Sequence, residues 1–217
     1  MKKIMRYVSI PFLMLACGPQ ERISKDTFEQ VNEAMDVKRF TEAEILEEAM
    51  AWGDSITNEA QAQLISNLQK AIAENGTTGA LEFCNVQALP ILEKTANHYQ
   101  VGIRRVSNRN RNPSNLPNED ESPILDAYEY TAENNGKSDP NIQKIEEGAV
   151  FLYTKPITIP GKFCLSCHGT PGLDIDAPTA QKLAQLYPND KAIDHKVGDL
   201  RGMWSVRIPK KEVVKRL

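Results

Sequence analysis

Apolar residues recur at helical spacing through the first half of the chain and at alternating spacing through the second. Phe28, Val31 and Met35 form one stripe. Ile45, Ala49, Trp52 and Ile56 form the next, and Leu64, Ile65, Leu68 and Ile72 continue it. Positions three and four apart share one face of a helix, so these stripes predict helices that pack against the rest of the same chain. Thr27 with Gln30, and Thr41 with Glu44, have the spacing of capping boxes at two helix starts. Asn75-Gly76 is a stop signal. A further helix is predicted from Thr78-Gly79 through Leu81, Cys84, Ala88, Ile91 and Thr95, with Cys84 on its apolar side. Pro90 lacks a backbone donor and is expected to kink or interrupt that helix.

The period then shortens. Residues 101–106, 150–159 and 201–208 are rich in β-branched and aromatic side chains and predict strands. Residues 126–131 are a weaker strand candidate, and Asn112-Pro113-Ser114-Asn115-Leu116-Pro117 is turn chemistry. Helices first and a mostly antiparallel sheet later predict an α+β domain with an N-terminal helical region.

Two ends of the chain add chemistry to this pattern. Lys2, Lys3 and Arg6 precede a short apolar run, residues 8–16, too short to span a bilayer. It ends in Leu13-Met14-Leu15-Ala16-Cys17-Gly18, which resembles a bacterial lipobox with Met14 where leucine is usual. Lipidation at Cys17 is expected, with plain secretion as the other route; both cross the inner membrane. Near the other end stands Cys164-Leu165-Ser166-Cys167-His168, the C-x-x-C-H attachment site of a c-type haem. Its two thiols become thioethers on the haem vinyl groups, and the adjacent imidazole is the proximal iron ligand. A thioredoxin-like redox pair would sit in a βαβ context, and a zinc site would need a second ligand pair. Neither is visible. One covalent haem per chain and a periplasmic or cell-envelope location are expected.

Of four cysteines, Cys84 is then left over. It is open to three readings: a buried structural thiol, an intermolecular pair, or a metal ligand. The net charge of −3 gives no sign of a nucleic-acid surface. No hydrolase elbow, P-loop or dinucleotide fingerprint occurs; a peroxidase would need an open iron and a distal base, which His98 or His195 could supply, but nothing in the sequence places either at the iron. Enzyme activity is not expected.

Four stretches carry a resemblance that covers residues 43–209. They are Gly79-Ala80-Leu81-Glu82-Phe83-Cys84; residues 102–117 with Arg105, Ser107 and Arg111; Tyr153-Thr154-Lys155-Pro156-Ile157 leading into the C-x-x-C-H motif and Gly169; and Tyr187-Pro188 followed by Gly198-Asp199-Leu200-Arg201-Gly202. Together they resemble the PAS-like c-type haem domain family, found as a stand-alone cyanobacterial protein and as the sensing region of bacterial membrane histidine kinases. Val106, where threonine is common, and Asn118-Glu119-Asp120 depart from the pattern in a loop. The resemblance implies a PAS-like antiparallel sheet flanked by helices, with His168 and Cys84 as the two axial ligands. His98, His195, Met203 or an open position are the alternatives to Cys84.

Arg105, Arg109 and Arg111 are candidates to bind haem propionates, because a guanidinium fork suits a carboxylate. The other reading is a solvated loop balancing Glu119, Asp120 and Glu121. Tyr128 and Tyr130 either line the haem or pack in a strand. The organisation expected is a signal peptide over 1–17, a tether over 18–25, a helical region over 26–75 and the PAS-like haem domain over 76–217. The function expected is a redox or small-ligand sensor tethered to the membrane by lipid; the alternative is a monohaem electron carrier. No kinase or other output domain is recognised, so a protein partner, redox or signalling, is expected, and a small gas is a candidate ligand.

Overall fold

The computed structural model describes Ser24, Lys25 and residues 40–217, without the side chains of residues 83–89. The chain divides into two units, 1–39 and 40–217, and the elements below belong to the second. Cys17, the Phe28 stripe and the Thr27 capping box lie outside the described residues.

Helix α1, Glu42–Tyr99, opens on Thr41. The Thr41 hydroxyl accepts the Glu44 N–H at 3.2 Å, and the Glu44 carboxylate accepts the Thr41 N–H at 2.7 Å, the capping box expected from the sequence. Gly76, at φ 68° and ψ 175°, is the one non-helical residue inside α1 and breaks it into two arms where the stop signal stood. The second arm returns along the first: Leu92 packs on Ala60, and the Tyr99 hydroxyl donates to Glu59. The backbone stays helical through Pro90, so the expected break occurs at Gly76 alone.

The sheet has the order β1-β4-β3-β2, with every neighbour antiparallel. Its strands are β1 Gly102–Val106, β2 Asn141–Ile145, β3 Val150–Thr158 and β4 Leu200–Pro209. Alternation divides their side chains between two cores. Phe151, Tyr153, Val206 and Ile208 meet Ile45, Trp52 and Ile56 of α1 on one face. Leu152, Met203 and Val106 meet Ile124, Leu125 and Tyr128 on the other. Those last three residues belong to α2, Ser122–Glu133.

The strand expected over residues 126–131 is therefore helix. Ile124, Leu125 and Tyr128 share one helical face and are buried, whereas Tyr130 is 70% exposed. Alternating aromatics had suggested a period of two, but burial follows the helical period. Pro123 in the first turn is a helix-start signal that agrees with it. Strand β2 is a polar edge strand without an apolar alternation to reveal it. Helices α3, Lys162–His168, and α4, Ala177–Leu186, lie between β3 and β4. The short α5, Lys210–Val214, follows β4 and buries Val213 against the α1 face. Among the described residues no helix is long and apolar enough to cross a membrane.

Candidate haem site

Helix α3 carries the whole C-x-x-C-H motif. Cys164 and Cys167 stand three residues apart on one turn, and His168 stands four after Cys164, so the three side chains leave the same side of the helix. Both thiols are half-buried, and neither is in a disulfide. Burial pushes the Cys164 thiol up, which keeps it protonated at neutral pH.

His168 is tied by its other ring nitrogen. Its Nδ1 lies 2.8 Å from the carbonyl oxygen of Ala192. A carbonyl only accepts, so Nδ1 carries the proton and Nε2 keeps its lone pair. Burial holds the imidazole well below its ordinary pKa, and Arg111 and Arg201 oppose a positive ring further. The histidine is thus neutral and in the tautomer an iron ligand needs.

The segment that supplies Ala192 runs beside the motif. The Asp194 and His195 N–H groups donate to the carbonyls of Gly169 at 3.0 Å and His168 at 2.9 Å. Arg111 locks the two strips together. Its Nη2 donates to the Cys167 carbonyl at 2.6 Å and the Ala192 carbonyl at 3.3 Å, and its Nε pairs with Asp190 at 2.8 Å. The second Asp190 oxygen accepts the Ala192 N–H at 2.8 Å. Arg111 therefore already has a carboxylate and acts on the motif through carbonyls.

His195 is 1% exposed and sits edge-on to His168, with ring centroids 6.2 Å apart. Its Nδ1 faces the Arg109 guanidinium at 3.3 Å. Arginine only donates, so Nδ1 accepts and Nε2 bears the hydrogen; that Nε2 is buried with no partner. Burial, then Arg109 and Arg201, lower the ring's pKa to about 4. This is the tautomer opposite to a ligand, which weighs against His195 at the iron. Arg109 also donates to the Ile193 carbonyl. Arg105 and Arg201 complete a basic cluster built on the β1–β4 pair.

The remaining candidates are spread over the fold. Met203 is fully buried between β4 and α2 among Val106, Leu125 and Leu152. Tyr128 is buried there too and lies 3.0 Å, hydroxyl to hydroxyl, from Thr154. His98 packs edge-on to Tyr99 and lines a polar cleft with Glu59, Gln63, Lys94 and Thr95. Cys84 lies on the second arm of α1, and its side chain is outside the described residues. The turn just before it is anchored to the motif lobe. Leu81 shares an apolar cluster with Cys167, Ile175 and Leu183; the Thr78 and Thr179 hydroxyls are 2.9 Å apart; Lys182 pairs with Glu82 at 2.5 Å.

Two thiols and a neutral, oriented imidazole on one turn, an orphaned buried N–H and a surplus of arginine together fit a dianionic porphyrin. Among the described residues no group of three or more His, Cys, Asp or Glu is placed to hold a metal ion by itself. Sequence reading had not singled out Ala192, Asp190 or Arg201 for the site, nor the pairing of His195 with Arg109. Arg201 stood within a resembling stretch, but nothing local marked its direction.

A family model described as Tll0287-like matches residues 21–209. Among solved structures, the cyanobacterial heme-protein Tll0287 is similar in fold at 24% identity and a TM-score of 0.50, covering 70% of this chain and 92% of that one. No curated protein matches the chain.

Proposed function

The chain belongs to the Tll0287-like family, and from that premise we propose that it is a c-type haem protein of the bacterial cell envelope, tethered by lipid at Cys17, that senses redox state or a small ligand. The solved relative is a heme-protein, which supports the cofactor class. The observation that carries the reading is the Nδ1–H of His168 held by Ala192 at 2.8 Å beside two thiols that are not in a disulfide. Cys164 and Cys167 would hold the group covalently, and His168 Nε2 would bind its iron. Cys84, on the arm anchored to the same lobe, is the candidate for the opposite axial position. When bound, haem supplies an iron that changes oxidation state or ligand. The chain's part is to fix the imidazole, to set Arg111 and Arg201 near it and to pack Cys167 against α4 and the second arm of α1.

The test is the purified mature protein. One haem per chain should remain attached through denaturation and resist acid-acetone extraction, and replacing both Cys164 and Cys167 by serine should abolish attachment. Haem that extracts freely, or zinc in its place, would sink the reading. Carbon monoxide binding with displacement of an axial ligand supports the sensor role. Fast reversible electron exchange at high potential without ligand binding would instead make the protein an electron carrier.

A further inference from the structure

Arg201 occupies an irregular place in β4. Ile157 of β3 lies opposite Gly202, and Thr158 lies opposite Leu200, so Arg201 is the extra residue of a β-bulge. A bulge re-aims the side chain it carries and is common beside functional sites. The next residue fixes it in place: Gly202 has φ +151°, and a Cβ there would sit 2.3 Å from the Val106 carbonyl oxygen. The re-aimed guanidinium meets neutral acceptors. Its Nη1 donates to the Ser107 hydroxyl at 3.0 Å and to the Arg109 carbonyl at 2.9 Å. Arg111, Arg105 and Arg109 all repel it, and the carboxylate that attracts it, Asp190, is engaged by Arg111 and the Ala192 N–H. Burial, then Arg111 and Arg105, bring the Arg201 pKa down to about 9. A partly buried cation bonded to neutral groups and faced by other cations is favoured when an anion joins it.

We infer that Arg201, re-aimed by the bulge, binds a carboxylate of the porphyrin, a haem propionate. The inference rests on the haem reading above. Haem brings two carboxylates to the neighbourhood of His168, where Arg201 already acts on the imidazole. A guanidinium fork suits a carboxylate better than a point charge does. The same cation would also accept a dissolved anion such as phosphate, and the test separates the two.

Resonance Raman spectra of the purified holoprotein report the propionate bending band directly. They are compared for wild type, Arg201→Gln and Arg201→Lys, each with and without added inorganic phosphate. A shift of that band in both variants, with wild type indifferent to phosphate, is the expected result. Bands that coincide with wild type in variants that still carry covalent haem would overturn the assignment. A wild-type band that moves with phosphate would overturn it too, giving Arg201 to a dissolved anion. If the glutamine variant does not fold, the lysine variant decides by itself, because it keeps the charge and loses the fork. Absence of covalent haem in wild type is a different failure, that of the haem reading, and the denaturation test shows it independently.

Discussion

His168 and Ala192 share one hydrogen bond, Nδ1–H to carbonyl oxygen at 2.8 Å, and that bond sets which ring nitrogen is left to bind a metal. The same carbonyl accepts a longer bond, 3.3 Å, from Arg111. An acceptor shared with a cation is a weaker acceptor for the imidazole, so Arg111 limits how much electron density the histidine gains from its carbonyl partner.

Removal of Arg111 therefore has two expected consequences. Arg111→Gln strands Asp190, whose side chain is 9% exposed, and should destabilise the protein by about 3 kcal/mol in urea melts. It also leaves the Ala192 carbonyl to His168, and the reduction potential of the holoprotein should fall. Arg111→Lys should restore little of the stability, because an ammonium cannot reach Asp190, Cys167 and Ala192 together. A variant with wild-type stability and potential would show that the clamp has no effect.

Much of this arrangement was legible because it is local. The C-x-x-C-H motif, the capping box at Thr41 and the stop at Gly76 are each written within a few residues. Strands β1, β3 and β4 were legible because their β-branched and aromatic residues are buried. Helix α2 was misread because Tyr128 and Tyr130 mimic alternation, while its true face is set by Ile124 and Leu125 packing on the sheet. The basic cluster was only half visible. Arg105 and Arg111 are near neighbours in sequence, but Arg201 joins them only when β4 pairs with β1 and a bulge turns it. The carbonyl partner of His168, 24 residues onward, depends likewise on a loop that returns to the motif.

Gly202 is the residue that lets the bulge and the β1 contact coexist. Gly202→Ala places a Cβ 2.3 Å from the Val106 carbonyl at φ +151°. A loss of about 3 kcal/mol is expected from strain and backbone displacement. Thermal unfolding measures it, and a shift within error of wild type would show that β1 and β4 separate there without cost.

Asp54 gives the fold a pH signature away from the site. The Lys155 ammonium and then the Tyr153 hydroxyl, at 2.8 and 2.7 Å, hold its carboxyl below the usual range. A carboxyl whose pKa is lowered on folding contributes stability that is present above its unfolded pKa and lost as pH falls through the folded value. The Asp54 side chain is 44% exposed, so solvent screening keeps the effect to about 0.5 kcal/mol. Asp54→Asn should flatten the acid limb of the stability curve by that amount, and NMR titration should show the Asp54 carboxyl rising in Lys155→Met. An unmoved carboxyl would mean that Lys155 is not its partner in solution.

Cys17 should anchor the protein. Expression with a labelled fatty acid is expected to label wild type and not Cys17→Ser, and the variant should leave the membrane fraction. A diacylated terminus binds membranes far more firmly than one chain does, so the fractionation change should be nearly complete. Label that persists in the serine variant would assign the acyl group elsewhere.

Cys84 is the last and most discriminating position. The turn before it is pinned to the motif lobe through Leu81, Thr78 and Glu82, and Leu81 shares an apolar cluster with Cys167, the residue before the histidine. If its thiolate is the axial ligand opposite His168, Cys84→Ala should lose a low-spin thiolate–imidazole signature in the optical and paramagnetic spectra of the ferric protein. The reduction potential should rise, because thiolate donates density that favours the oxidised iron. If Cys84 only packs, truncation costs a few kcal/mol at most, about 1–2 for so small a side chain, and leaves the spectra as they were. An unchanged low-spin spectrum in a folded Cys84→Ala protein would remove this cysteine from the iron. His98 and Met203 would then have to leave their places against Tyr99 and in the α2 core to replace it, a rearrangement that the stability of His98→Ala and Met203→Leu holoproteins would reveal.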